Sequence, residues 1–161
     1  MNPYSYADPY SNPMMTPVRM DMNANNLNIA LRGILQGISG ERNDELFYDY
    51  LISVAPTQQE KQIITSIRND ERKHRRMFRQ LYTALTGQQP PTTAETETFQ
   101  RPASYLAGIE QALLGELRAF ENYRIIYLNL PYPYRDIMFE IMTDEIKHAS
   151  YYNWLYAKNT R

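Results

Sequence analysis

Two copies of one pentad, Asp-Glu-x-Lys-His, hold both histidines of this 161-residue chain: Asp70-Glu71-Arg72-Lys73-His74 and Asp144-Glu145-Ile146-Lys147-His148. On a helix, Glu and His three positions apart lie one turn along the same face, so a carboxylate oxygen and an imidazole nitrogen can reach a single ion. Two such helices set face to face can hold two ions. A fold that carries these motifs must bring two helices together across a polar seam.

The apolar residues say which helices are available. From Leu27 onward they recur at helical spacing in four segments, each phased on its own hydrophobic stripe. Segment one, about 24 to 55, places Leu27, Leu31, Ile34, Ile38, Glu41, Tyr48 and Ile52 on one face. Segment two starts at a capping box, Thr57 with Glu60, and stops at Thr86-Gly87; its stripe is Ile64, Ile67, Glu71, His74, Phe78, Leu81 and Leu85. Segment three, about 103 to 130, runs through Leu106, Ile109, Leu113, Glu116, Phe120, Tyr123, Tyr127 and Leu130. Segment four, about 134 to 158, follows the Pro131-Tyr132-Pro133 break with Met138, Ile141, Glu145, His148, Tyr152 and Leu155. No segment alternates as a strand does. The pattern predicts an all-α fold, a four-helix bundle.

The connections set its topology. Short links at Pro56 and Pro131 make each pair of segments an antiparallel hairpin. The Pro- and Thr-rich stretch from Gln88 to Pro102 can span roughly 50 Å when extended, enough for a long crossover between the hairpins. Residues 1 to 23, with Pro3, Pro9, Pro13 and Pro17 among Asn, Tyr, Ser and Met, show no periodicity and read as a flexible tail. That tail is either a leader without a role or a docking segment built on Tyr4, Tyr6 and Tyr10. Residues 24–161 form the bundle domain.

Depth along the helices brings the seam acids together. Glu41 precedes the end of segment one by as many residues as Glu71 follows the start of segment two, which sets both roughly 21 Å from the same end. Glu116 and Glu145 lie at nearly equal depth in the second hairpin. The halves repeat as wholes: Gly40-Glu41 with Tyr48 seven residues on, then Glu71 and His74, matches Gly115-Glu116 with Tyr123 seven on, then Glu145 and His148. Asp44 and Glu45 also fall near the seam, but Phe120 occupies the place corresponding to Glu45. Glu41 is therefore the expected ligand, with Glu45 as a reserve carboxylate or gate.

Leaving these ionisable groups unpaired inside a bundle costs on the order of several kcal/mol each. Two protonated histidines against four carboxylates would leave net negative charge in the core, the alternative of a closed polar network. Two divalent cations balance four carboxylates and use neutral imidazoles.

Composition narrows the chemistry. With no cysteine the chain has no disulfide, no thiolate ligand and no rubredoxin-type centre. A formal net charge of -1 gives no overall attraction to nucleic acid or to an anionic membrane, and Arg68, Arg72, Lys73, Arg75, Arg76 and Arg79 read as a solvated outer face of segment two. No apolar run reaches membrane-spanning length and no secretory signal opens the chain, so a cytoplasmic location is expected.

These residues resemble the ferritin-like superfamily of dinuclear carboxylate proteins, which take one Glu from each of two helices and ExxH from each of the others. Glu41, Glu71-His74, Glu116 and Glu145-His148 match that pattern over about residues 27 to 157, most closely in rubrerythrin-type and bacterioferritin-type domains. The resemblance implies that Glu71 and Glu145 bridge two iron ions, with Glu41 and His74 completing one site and Glu116 and His148 the other. It also implies that Asp70 and Asp144 each accept the N–H of the histidine in the opposite motif. Tyr48 and Tyr123 resemble tyrosines that hydrogen-bond ligand carboxylates in such sites, and equally suit core aromatics. Rubrerythrins proper carry a cysteine-rich electron-donating domain, and this chain has none.

The expected function is thus a diiron oxidoreductase that reduces hydrogen peroxide or oxygen, as a peroxidase or ferroxidase, with an external electron donor and Glu45, Tyr48 and Tyr123 as candidates for proton or electron delivery. A homodimer is expected, with no membrane or nucleic-acid partner. Manganese accepts the same ligands, so a dimanganese catalase-like enzyme is one alternative; a non-catalytic metal-binding protein recruited through its tail is another.

Overall fold

The stripes fold into five α-helices and one 3-10 turn in a computed structural model that describes residues 23–92 and 98–160. The helices are α1 (Ala24–Ile38), α2 (Glu41–Val54), α3 (Gln58–Thr86), α4 (Tyr105–Asn129) and α5 (Arg135–Asn159), with the turn at Tyr132–Tyr134. The fold is all-α, a ferritin-like four-helix bundle in which α1 and α2 together form one of the four rods. Most of the tail, residues 1–22, lies outside the described residues, as does part of the crossover.

Helix ends follow local chemistry. Thr57 caps α3 by accepting the amide of Glu60 at 3.3 Å, while its hydroxyl donates to the Glu60 carboxylate at 3.0 Å. Gly87 closes α3 at φ +70, a left-handed conformation that costs glycine nothing. Ser104 accepts the Ala107 amide at 3.1 Å to start α4.

Segment one is not a single helix. Gly40 takes φ +80, the chain turns at Ser39-Gly40, and α2 begins afresh at Glu41. The restart shifts the helical phase, so Leu51 and Ala55 are buried beside Tyr48 where Ile52 was expected.

The two ends of the crossover lie at opposite ends of the bundle. The Tyr105 hydroxyl, at the start of α4, donates to Glu60 at 2.8 Å, next to the start of α3. From Gly87 back to that level is roughly 40 Å of helix at about 1.5 Å per residue, so α3 and α4 run parallel. Lys158 and Asn159, at the end of α5, also donate to Glu60, at 2.9 and 3.0 Å. Four donors thus satisfy a glutamate that is 1% exposed, and tie three helix ends together.

The core is in two parts. Toward the Glu60 end, Leu51, Ile64, Ile67, Ile109, Tyr152 and Leu155 pack together. Toward the other end, Ile34, Phe78, Leu81, Ile126, Met138 and Ile141 do so. Each fully buried Ile, Leu or Phe stabilises by about 1.5–3 kcal/mol, so the two apolar clusters can carry the fold. The layer between them is free to be polar, and on α3 and α5 that layer is the ExxH pair.

The basic face of α3 is only partly solvated: Arg76 is exposed, while four arginines pair with α2. Arg68, Arg72, Arg75 and Arg79 step by four, three and four residues along one stripe and meet the acids of α2 in reverse order. Arg68 binds Asp49 at 2.8 Å, Arg72 binds Glu45 at 2.8 Å, Arg75 binds Asp44 at 2.9 Å, and Arg79 binds Glu41. Arg75 is only 4% exposed and also reaches Glu45 at 3.3 Å. Antiparallel packing turns two charged faces toward each other, and Lys73 pairs instead with Glu140 of α5. No helix among the described residues is long and apolar enough to cross a membrane.

Candidate metal centre

Midway along the bundle α3 contributes Glu71 and His74, α5 contributes Glu145 and His148, and α4 contributes Glu116. His74, Glu145 and His148 are essentially inaccessible and Glu116 nearly so. The His74 Nδ1 lies 3.4 Å from Glu71 Oε1 and 3.2 Å from Glu145 Oε1. The His148 Nδ1 lies 3.2 Å from Glu71 Oε1, 3.8 Å from Glu116 Oε2 and 3.9 Å from Glu145 Oε2. Glu71 and Glu145 therefore face both imidazoles. The two rings are stacked 5.9 Å apart at 30°.

The other ring nitrogens are taken. His74 Nε2 lies 3.1 Å from Asp144 and His148 Nε2 3.1 Å from Asp70, so each histidine bonds the aspartate of the opposite motif. Lys147 joins the two aspartates, at 3.0 Å from Asp70 and 2.6 Å from Asp144. A carboxylate only accepts, so Nε2 carries the proton and Nδ1 is the nitrogen left facing the carboxylates.

The residues fit a divalent metal ion. His74 Nδ1, His148 Nδ1, Glu71 Oε1 and Glu145 Oε1 are all buried without a hydrogen-bond partner, although they lie close together. Buried polar atoms normally find partners. Donors at right angles around an ion with bonds of about 2.1 Å stand roughly 3 Å apart, close to the shortest separations here. Donor atoms of Glu71, Glu116, Glu145 and His148 all come within 4.8 Å of one another, enough for one complete site.

Charge in the cluster is shared. Burial works against a charged imidazole, but the Glu145 and Glu71 carboxylates outweigh it and hold His74 up at about 10. Glu116 and Glu71 do the same for His148, at about 11. For Glu71 burial is overcome by the two imidazolium groups, and its carboxyl sits at about 2. Burial and the neighbouring Glu71 push Glu145 the other way, upward. Protons hold the places of cations here, as expected for a site built around positive charge.

Glu41 does not join this group, contrary to the expectation from the repeat. The restart at Gly40 makes it the first residue of α2, exposed and bound to Arg79, beside a different cavity lined by Ile38, Ser39, Pro90 and Pro91. Glu45 is likewise held off the cluster by Arg72 and Arg75. The sequence repeat hid this because Gly40 and Gly115 occupy matching places but only Gly40 has a positive φ.

Tyr48 and Tyr123 do border the site. With Asp44, Glu71, Glu116 and Glu145 they line a cavity of about 250 Å³. Burial, then Tyr152 and Glu116 for Tyr48 and Glu145 and Glu71 for Tyr123, push both phenols well above their usual value and keep them protonated. Two further residues emerge from the geometry. Tyr152, fully buried one turn beyond His148, has a hydroxyl without an aligned hydrogen bond among the described residues, and burial, then Glu116 and Glu71, push its phenol upward; its place in the stripe of segment four disguised it as packing. Asp44, which the sequence placed near the seam without a role, lines the cavity.

The comparison with curated proteins and with solved structures gives no match. The sequence model of the rubrerythrin family, however, matches residues 34–156, well over half of the chain and the whole of the buried cluster. With its carboxylate and histidine group able to hold metal, this chain belongs to the rubrerythrin family.

Proposed function

We propose that this protein is a diiron oxidoreductase that reduces hydrogen peroxide or oxygen. The observation that carries the reading is the set of buried, unpartnered donors, His74 and His148 Nδ1 with Glu71 and Glu145 Oε1, in a cysteine-free member of the rubrerythrin family. Two ferrous ions bound there would supply one electron each, the two that convert one hydrogen peroxide and two protons to two waters.

The chain's own groups have distinct tasks in this scheme. Glu71 and Glu145 would be shared by the two ions, because each faces both histidines; His148 and Glu116 would hold one ion and His74 the other. Asp70 and Asp144 fix the imidazole orientation through Nε2. The cavity of about 250 Å³ beside Glu71, Glu116 and Glu145 has ample room for hydrogen peroxide or oxygen. Tyr48 and Tyr123, protonated at its wall, can donate hydrogen bonds or protons there. Electrons for further turnovers must come from an outside donor.

The test is anaerobic. Ferrous-loaded protein is mixed with substoichiometric peroxide, and oxidised iron is counted by its near-ultraviolet absorbance. Two irons oxidised per peroxide, without a trapped hydroxyl radical, is the expected result. Failure to oxidise with either peroxide or oxygen overturns the proposal. Sustained oxygen evolution from peroxide with manganese bound and no reductant added would replace it by the catalase reading.

A further inference from the structure

The two halves of the centre are unequal. His148 has Glu71, Glu145 and Glu116 around it, whereas His74 has only Glu71 and Glu145. The hairpin of α4 and α5 supplies its own carboxylate, Glu116. Its counterpart α2 offers Glu41, Asp44 and Glu45 to the His74 half, and all three are paired with arginines of α3. The His74 and His148 Nδ1 atoms both lie among carboxylates without an aligned hydrogen bond among the described residues, so Glu116 is what distinguishes the two halves.

The three acids are not equivalent. Glu41 borders a separate cavity at the bundle's far side of Gly40. Glu45 is gripped by two arginines and lines neither cavity. Asp44 alone of the three lines the cavity bounded by Glu71, Glu116 and Glu145. Its negative charge already reaches Tyr48 and Tyr123, the phenols at that wall.

We infer that Asp44, not Glu41, is the carboxylate of α2 that serves the His74 half, and that the ion pair with Arg75 holds it in reserve until a second cation arrives. This rests on the dinuclear reading above. Arg75 tolerates the exchange because Glu45 stays bound to its other nitrogen at 3.3 Å, so the buried guanidinium is never left without a counter-charge. Asp44 sits in the first turn of α2, where the Gly40 carbonyl accepts its amide at 3.0 Å. Filling is therefore ordered: the His148 half binds first, and the His74 half second, when Asp44 leaves Arg75.

Manganous ion alone is the probe, titrated into the full chain without air, with affinity read by calorimetry and pairing by the spin-coupled electron paramagnetic resonance signal. Wild type is expected to bind two ions in two steps. Asp44→Asn, at a half-exposed position that does not endanger the fold, should keep the first ion and weaken the second by about tenfold or more, replacing the coupled signal with a mononuclear one. Glu41→Gln should leave both steps unchanged. A coupled pair that survives in Asp44→Asn, or is lost in Glu41→Gln instead, overturns this inference alone. A wild type that binds no pair overturns the dinuclear reading and the inference with it.

Discussion

His148 Nε2 stands 3.1 Å from Asp70, and that bond decides which face of the imidazole a metal can use. Because Asp70 only accepts, the proton stays on Nε2 and Nδ1 is turned inward toward Glu71. His74 and Asp144 repeat the arrangement at the same distance, so the two pentads orient each other across the bundle.

Removing either aspartate frees the ring to rotate or to change tautomer. Asp70→Ala and Asp144→Ala should each lower metal affinity about 10- to 100-fold while the helical content stays unchanged. Competition against a chelator of known affinity measures the first, and far-ultraviolet circular dichroism the second.

The pH dependence of stability should change sign with metal. Without metal, His74 and His148 titrate at about 10 and about 11 in the folded chain against 6.5 in the reference state. Raised values stabilise the fold fully below pH 6.5, and that contribution is lost as the pH climbs through about 10 to 11. Glu71, lowered to about 2 from 4.5, contributes above pH 4.5 and loses its contribution as the pH falls toward 2. With Glu145 included, whose raised carboxyl costs stability as the pH climbs above 4.5, the metal-free melting temperature should be highest near pH 4.5 and fall above it. With metal it should rise over the same alkaline interval, because binding must displace the protons. Melting curves with and without chelator decide this.

Gly40 and Gly115 look alike in the sequence repeat but not in the structure. Gly40 sits at φ +80, where a Cβ is strained, so Gly40→Ala should cost about 1–2 kcal/mol. Gly115 is an ordinary helical residue with nothing within 4 Å of an added Cβ, so Gly115→Ala should stabilise by about 0.5–1 kcal/mol. Urea unfolding reads both. A stabilised Gly40→Ala would mean that the helix runs unbroken through residue 40, which would return Glu41 to the seam.

That pair of glycines marks where the sequence stopped being legible. Long stripes and side-chain caps made α3, α4 and α5 readable to within about two residues, since Thr57, Gly87 and Pro131 act locally. The ExxH pairs and Glu116 were readable because a charged residue inside an apolar stripe has few explanations. The break at Ser39-Gly40 was not, because a glycine within a periodic run signals a kink no more than it signals close packing. The phase carried through it sent Glu41 to the seam and passed over Asp44, which lay near that seam, in favour of the repeat. The arginine ladder was missed for another reason: helical spacing says that Arg68, Arg72, Arg75 and Arg79 share a face, but only the packed partner shows that acids of α2 lie against it. Tyr152 was placed correctly in the core, yet proximity to Glu116 and Glu71 cannot be read from a stripe.

The dinuclear centre itself is tested most directly by anomalous X-ray scattering at the iron and manganese edges, on crystals of protein purified without added metal. Two peaks are expected between α3 and α5, each beside one histidine Nδ1 and both within reach of Glu71 and Glu145, with the edge naming the metal. Crystals of Glu71→Ala or His148→Ala should show reduced occupancy of the pair. No peak at this position in the wild type, or two full peaks retained in either variant, would contradict it.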